Sequence, residues 1–263
     1  MMALERQLGR GQDYAVKGTV GDMDYIAVMD GHGNGLHNNA CIDLLRTYDF
    51  DEIATAHDPV EMIQAKLQLH RLFGSGSTFT FARIYKSMRE IEVINVGDSK
   101  TIVIINGNIV YTTPEHSFQN DFEIQRTEKQ IIQISPTMAP FPINECVVKM
   151  VRSDLGMFTN GEILVPSQSF GHDNITGLAP SVERIPYADG DLVRVICGSD
   201  GFWDMCMEQY RLLAFDSPEV LIQIAEDRWK QQWEFHEDGK QPVITSYGDN
   251  LDDIAIAVWD LLV

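Results

Sequence analysis

The sequence predicts an α+β domain built in layers. Three features predict it: β-favouring runs joined by short hairpin turns, helical patterns gathered in blocks between them, and no strict strand-helix alternation of the kind a doubly wound nucleotide-binding sheet requires. The strand-like runs are YAVKGTV (14–20), DYIAVM (24–29), STFTFARIY (77–85), IEVINV (91–96) and TIVII (101–105), with DLVRVIC (191–197) and IAIAVW (254–259) late in the chain. Their Val, Ile, Phe and Tyr content suits pleated packing surfaces. INGNIV sets Gly107 between two asparagines, a hairpin turn that makes its flanking strands antiparallel neighbours.

Helices are expected between these runs. The first follows the glycine turn, with Asn34 as cap and Leu36, Ala40, Leu44 and Leu45 along one side. Asp58-Pro59-Val60-Glu61 reads as an N-cap, a proline at the first helical position and a reciprocating glutamate, opening a helix to about Leu72. Ser217-Pro218-Glu219 opens another, carrying Val220, Leu221, Ile224 and Trp229. From about 113 to 166 the scattered prolines Pro114, Pro136, Pro140 and Pro142 predict irregular structure with one short helix near 120–130.

The 263 residues are enough for one large domain with a well-buried core, and nothing in the length requires two. No stretch reaches the roughly 18 apolar residues needed to span a bilayer, and the N-terminus lacks the apolar core of a secretory signal, so a cytoplasmic protein is expected. The formal net charge of −19 opposes nucleic acid and anionic membranes as partners. Cys41, Cys146, Cys197 and Cys206 form no C-x-x-C pair, which predicts reduced, mostly buried thiols rather than a zinc knuckle.

The chemistry lies in aspartates at strand ends. DYIAVM runs into Asp30-Gly31-His32-Gly33, LVRVIC into Asp200-Gly201 with Asp204 four residues on, Asp252 and Asp253 precede the last strand, and Asp13 precedes the first. Each alone is an ordinary turn. Together, on strands that pair side by side, they form an oxygen-rich cluster suited to a hard divalent cation, because crowded carboxylates repel one another until a cation neutralises them. Such ions can acidify a water and aim it at phosphorus.

The ordered set DGHG (30–33), GSGST (74–78), NVGDSK (95–100), GSDGFWD (198–204) and DDIAIAV (252–258) resembles the metal-dependent protein phosphatases of type 2C, from about Asp13 to Asp260. The resemblance implies a four-layer α-β-β-α sandwich, two antiparallel sheets flanked by helices, forming a single catalytic domain over 1–263. It implies a serine/threonine phosphatase that uses two Mn²⁺ or Mg²⁺ ions and a metal-bridging hydroxide to hydrolyse phosphoserine and phosphothreonine. Asp30 would bridge the metals, the Gly31 carbonyl and Asp13 would serve one, and Asp200 and Asp252 the other. His32 would be general acid to the leaving oxygen, a structural role for this lone histidine being the alternative.

An ungapped match of DDIAIAVWDL selects Asp252, whereas Asp249-Asn250 would require an insertion. The family's phosphate-holding arginine falls at Leu8, leaving Arg10 as the candidate phosphate ligand and Arg6 as its alternative. The family's leucine-glycine-aspartate appears as Phe170-Gly171-His172, so a third metal site would draw on Asp204 with His172 and Asp173. Phosphoprotein substrates flanked by Lys or Arg and a monomeric enzyme are expected. The rival is a pseudophosphatase, a binding or scaffold module favoured by Leu8. A zinc hydrolase built on His32 and His37 lacks the ligand spacing.

Overall fold

A computed structural model describes residues 1–33, 39–70, 72, 74–117, 120–126, 157–159, 162–164, 166–172, 177–206, 213–236 and 241–261. Sixteen strands are present among them: β1 (Met2–Arg6), β2 (Asp13–Val20), β3 (Met23–Gly33), β4 (Ser75–Ser77), β5 (Phe79–Tyr85), β6 (Glu90–Val96), β7 (Lys100–Ile105), β8 (Asn108–Thr112), β9 (Met157–Thr159), β10 (Glu162–Leu164), β11 (Phe170–Gly171), β12 (Ser181–Pro186), β13 (Val193–Gly198), β14 (Trp233–Phe235), β15 (Val243–Thr245) and β16 (Ile254–Leu261). The helices are α1 (Ala40–Leu45), α2 (Phe50–Thr55), α3 (Pro59–Leu67), α4 (Asp200–Trp203) and α5 (Pro218–Lys230), and residues 121–126 add a helical turn.

Alternation along the strands builds two large antiparallel sheets. One has the order β1-β16-β13-β7-β8; the other runs β11-β4-β3-β5-β6-β12, with β2 also paired to β3. On β3, Ile26 and Val28, with Ala82 and Ile84 of the neighbouring β5, point toward the opposite sheet and join its Val103, Val195, Ala255 and Ala257 in a shared core. The intervening Tyr25, Ala27 and Met29 point outward beneath α1 to α3, among Ile42, Leu45, Ile53 and Ile63. On the other sheet, Ile102, Ile196, Ile256 and Val258 face outward to meet Leu221, Ile222 and Ala225 of α5. Three apolar layers therefore separate four structural ones, the α-β-β-α sandwich expected. Each fully buried aliphatic side chain contributes about 1.5–3 kcal/mol.

Helix signals act as their chemistry requires. Asp58 caps α3 by accepting the Glu61 N–H at 2.9 Å, and Ser217 caps α5 through the Val220 N–H. Several boundaries differ from expectation. The helix after the glycine turn begins at Ala40, and its N-cap Asn39 makes no side-chain capping bond. The expected cap Asn34 lies outside the described residues. The helix from Pro59 stops at Leu67 rather than Leu72. The run at 77–85 is two strands parted at Thr78, a break that lets Thr78 bond both the N–H and the carbonyl of Asp30. β1 and β12 were not expected; each sits at a sheet edge, where half-exposed polar side chains blur the alternation. Among the described residues, Cys41, Cys197 and Cys206 are free, buried thiols, and no helix is long and apolar enough to cross a membrane.

Candidate metal centre

The site forms where strand ends from both sheets meet. Asp30 leaves β3 on the same face as Val28 and Ile26, so it points into the gap between the sheets. Its N–H donates to Thr78 Oγ1 at 3.1 Å, and its carbonyl accepts the Thr78 N–H at 2.8 Å. Thr78 Oγ1 lies 2.6 Å from Ser99 Oγ, and both side chains are buried. This hydroxyl pair ties the end of β3 to the turn carrying Asp98.

From the other sheet, β13 is followed by Ser199, which is locked to Ala255 by two bonds: Ser199 N–H to the carbonyl at 3.1 Å, and Ala255 N–H to Ser199 Oγ at 3.0 Å. Asp200 then opens α4, its Oδ1 accepting the Gly201 N–H at 2.7 Å. Gly201 is required by close approach, since a Cβ there would lie 2.1 Å from the Asp253 carbonyl oxygen. Trp203 and Trp229 fix this turn by donating to the carbonyls of Lys100 and Gly201.

Carboxylate oxygens of Asp30, Asp98 and Asp200 all lie within 4.8 Å of one another. Asp13 is cross-strand from Asp30 and 4% exposed. Asp252 precedes β16, its Oδ1 accepting the Asp253 N–H at 2.9 Å. Burial, then the Asp200 charge, raises Asp30 well above the ordinary carboxylate range. Burial, opposed by Ser199 and reinforced by the charges of Asp200, Asp252 and Asp253, raises Asp13 likewise. Asp98, Asp200 and Asp252 are each pushed up to about 7, chiefly by burial and then by neighbouring carboxylates.

The residues fit a divalent cation. Both carboxylate oxygens of Asp13 and Oδ1 of Asp98 are buried without a hydrogen bond of ordinary geometry, the Ser199 hydroxyl being the nearby group that eases the Asp13 charge. Orphaned anionic oxygens are costly, and a hard cation satisfies several at once. An all-carboxylate donor set suits Mg²⁺ or Mn²⁺ rather than a soft metal.

The other expected residues are distributed as follows. Gly31 donates its N–H to Gln12 O at 2.9 Å, tying the β3 terminus to the residue before Asp13. Asp249 is exposed, whereas Asp252 feels the Asp200 charge. Asp253 is buried and accepts the N–H groups of Leu8, Gly9 and Gln12 at 2.9, 2.8 and 2.8 Å. Arg10 is exposed and donates to Gly33 O at 3.3 Å, while Arg6 pairs with Glu226 on α5.

His32 follows Asp30 by two residues on the same strand face, and His172 packs against it with ring centroids 4.8 Å apart. Burial pushes His32 down to about 4. Burial, then His32, pushes His172 down to about 3. Asp204 is exposed at the end of α4; partial burial, then the Glu115 charge, raises it, and its own charge helps raise Asp98, Asp200 and Asp252. Among the described residues, the one trio of potential ligands that converges is Asp30, Asp98 and Asp200, so His172 is found with His32 rather than in a trio with Asp204. Asp173 and His37 lie outside the described residues. Asp98 is a site residue the sequence pattern does not single out; NVGDSK puts an aspartate at the end of an apolar strand, but with the glycine before it rather than after it as in MDG and SDG.

A family model described as Protein phosphatase 2C matches residues 22–211. Among solved structures, a C. elegans sex determining protein aligns with TM-score 0.60 at 17% identity over 98% of this chain; the chain spans 63% of that protein's length. A serine/threonine phosphatase of S. agalactiae aligns with TM-score 0.58 at 18% identity over 97% of this chain and 96% of its own. A Mycobacterium tuberculosis serine/threonine phosphatase aligns with TM-score 0.57 at 17% identity over 99% and 97%. Identities this low carry the fold alone. No curated protein matches the sequence.

Proposed function

The chain belongs to the protein phosphatase 2C family, and from that premise we propose that it is a divalent-cation-dependent hydrolase of phosphoserine and phosphothreonine in proteins. The observation that carries this reading is the convergence of Asp30, Asp98 and Asp200 within 4.8 Å, delivered by three separate parts of the chain. Asp13, Asp30, Asp98, Asp200, Asp252 and the Gly31 carbonyl would hold two Mn²⁺ or Mg²⁺ ions. When bound, those ions would neutralise phosphate charge and acidify water for attack on phosphorus.

The chain's own residues do the rest. Thr78 and Ser99 fix the spacing between Asp30 and Asp98 without adding charge. Asp253, although one residue from Asp252, is engaged with backbone N–H groups and so braces the β1–β2 loop. His32 would give a proton to the serine or threonine oxygen as its bond to phosphorus breaks, a proton it must take up with the phosphate bound, because burial outweighs the nearby Asp30 carbonyl and holds the ring neutral at pH 7 in the free protein. Arg10, at the rim near Gly33, would meet the phosphate or residues flanking it. The net charge of −19 favours phosphosites flanked by Lys or Arg.

One observation favours a second reading, a catalytically silent binding module: Leu8 stands where the family carries a phosphate-holding arginine, and it packs into the core beside α5. Hydrolysis of a phosphoserine peptide with Mn²⁺, with and without chelator, separates the two. Chelator-sensitive turnover supports the enzyme; metal binding or its absence with no turnover by the folded protein supports the module.

A further inference from the structure

His172 stands where the family places an aspartate, yet it is 1% exposed and packed on His32, with centroids 4.8 Å apart and planes 40° from parallel. Strand register creates this contact. His32 is cross-strand from Gly76, and Gly76 is cross-strand from Gly171, so one glycine separates the two histidine-bearing strands. A Cβ on Gly76 would fall 2.3 Å from His172 Cδ2 and 2.5 Å from Nε2, so the His172 ring occupies the space a side chain there would fill. His172 holds φ +46°, a backbone conformation uncommon outside glycine and costing on the order of 1 kcal/mol.

No ring nitrogen of either histidine makes a hydrogen bond of ordinary geometry, although the Asp30 carbonyl lies near enough to His32 to favour its charged form. Catalytic histidines are commonly oriented by a carboxylate or carbonyl on the second nitrogen. For His32 the nearby group is the Asp30 carbonyl, a weak partner, and the ring of His172 bounds the imidazole on one side.

We propose that His172 is a positioning residue: through ring contact over Gly76 it holds the His32 imidazole in the orientation that delivers a proton to the leaving oxygen. The inference rests on the phosphatase reading above. In the step it serves, the bond between phosphorus and the serine oxygen breaks, that oxygen takes the proton from His32, and phosphorus gains its bond to the attacking water oxygen. A substrate whose leaving group departs as a stable anion has little need of that proton.

The test compares a phosphoserine peptide with p-nitrophenyl phosphate, both with Mn²⁺. His172→Asn removes the ring while tolerating the positive φ; His172→Phe keeps a flat ring. Expected for His172→Asn is a fall of about 10- to 100-fold in kcat on the peptide with KM little changed, against about twofold or less on p-nitrophenyl phosphate. His172→Phe should retain peptide kcat within about threefold, and in a His32→Asn background His172→Asn should add less than about twofold. Equal losses on both substrates, a His172→Phe protein as impaired as His172→Asn, or multiplicative losses in the double variant would each overturn the inference and leave the phosphatase reading standing. A folded wild type that hydrolyses neither substrate would remove that reading and this inference together.

Discussion

Asp13 and Asp30 are directly paired across the β2–β3 ladder. The adjoining pair, Gln12 and Gly31, is joined by a backbone hydrogen bond of 2.9 Å, which makes Asp13 and Asp30 a non-hydrogen-bonded pair, the kind whose side chains approach most closely. Two like charges directly opposite each other destabilise a sheet. Here both point between the sheets toward Asp200, and burial compounds the repulsion. A cation reverses the sign of that arrangement, from mutual repulsion to shared coordination.

Asp98 should matter as much as the aspartates that are easier to recognise. Asp98→Asn is expected to weaken Mn²⁺ binding, read by calorimetry, and to lower kcat by about 100-fold or more, with the fold retained by circular dichroism. Unaltered affinity and turnover would show that its place within 4.8 Å of Asp30 and Asp200 is incidental.

Asp253 and Asp249 should behave oppositely. Asp253→Ala strips the acceptors from three backbone N–H groups, of Leu8, Gly9 and Gln12, and is expected to destabilise the fold by about 2–4 kcal/mol in urea unfolding. It should also weaken metal binding, because the loop it braces leads into Asp13. Asp249→Ala, at an exposed turn, is expected to stay within about 0.5 kcal/mol of wild type and to bind metal normally.

The metal-free protein should carry a pH signature. Burial, then the Asp98 charge, pushes Asp200 from its ordinary 3.8 up to about 7. A carboxyl raised in the folded state binds more protons folded than unfolded, so its stabilising contribution is full below about pH 4 and is lost as pH rises toward 7. Asp200→Asn abolishes that loss. With chelator at about pH 8 its melting temperature should exceed that of wild type, by about 2–4 °C for each kcal/mol relieved, and the gap should close near pH 4. His32 and His172 are pushed down by burial and titrate in the opposite sense; both proteins share them, so they cancel in the difference. A gap that persists at low pH would contradict the repulsion argument.

Arg10→Ala is expected to raise KM for a phosphopeptide about two- to tenfold with a smaller effect on kcat, as loss of an exposed phosphate contact should. Arg6→Ala, whose partner Glu226 lies on α5, should leave KM unchanged. If Arg6 rather than Arg10 moves KM, the phosphate approaches from the other side of the loop.

The strands of the inner layers were readable because Ile26 and Val28, or Ala255 and Ala257, alternate cleanly with residues of the outer cores. β1 was not, since MALER derives its strand state from pairing with β16 across most of the chain length, a contact invisible to local periodicity. The same holds at the site. Asp30 and Asp200 announce themselves by apolar runs ending in aspartate and glycine. Asp98 has the glycine before it, and its carboxylate meets the others where the Thr78–Ser99 contact joins two loops distant in sequence. The pairing of His172 with His32 depends on a three-strand register and a missing Cβ at Gly76, neither of which a linear pattern encodes.

The central claim is that aspartates from distant parts of the chain jointly hold catalytic divalent cations. Its most direct test is a Mn²⁺ titration of the metal-free protein by calorimetry, run beside phosphoserine-peptide hydrolysis on the same samples and repeated with Asp30→Asn. Saturable binding of two ions, turnover that follows occupancy, and loss of both in the folded variant are the predicted results. Turnover indifferent to chelator, or Mn²⁺ binding unchanged in Asp30→Asn, would contradict the account.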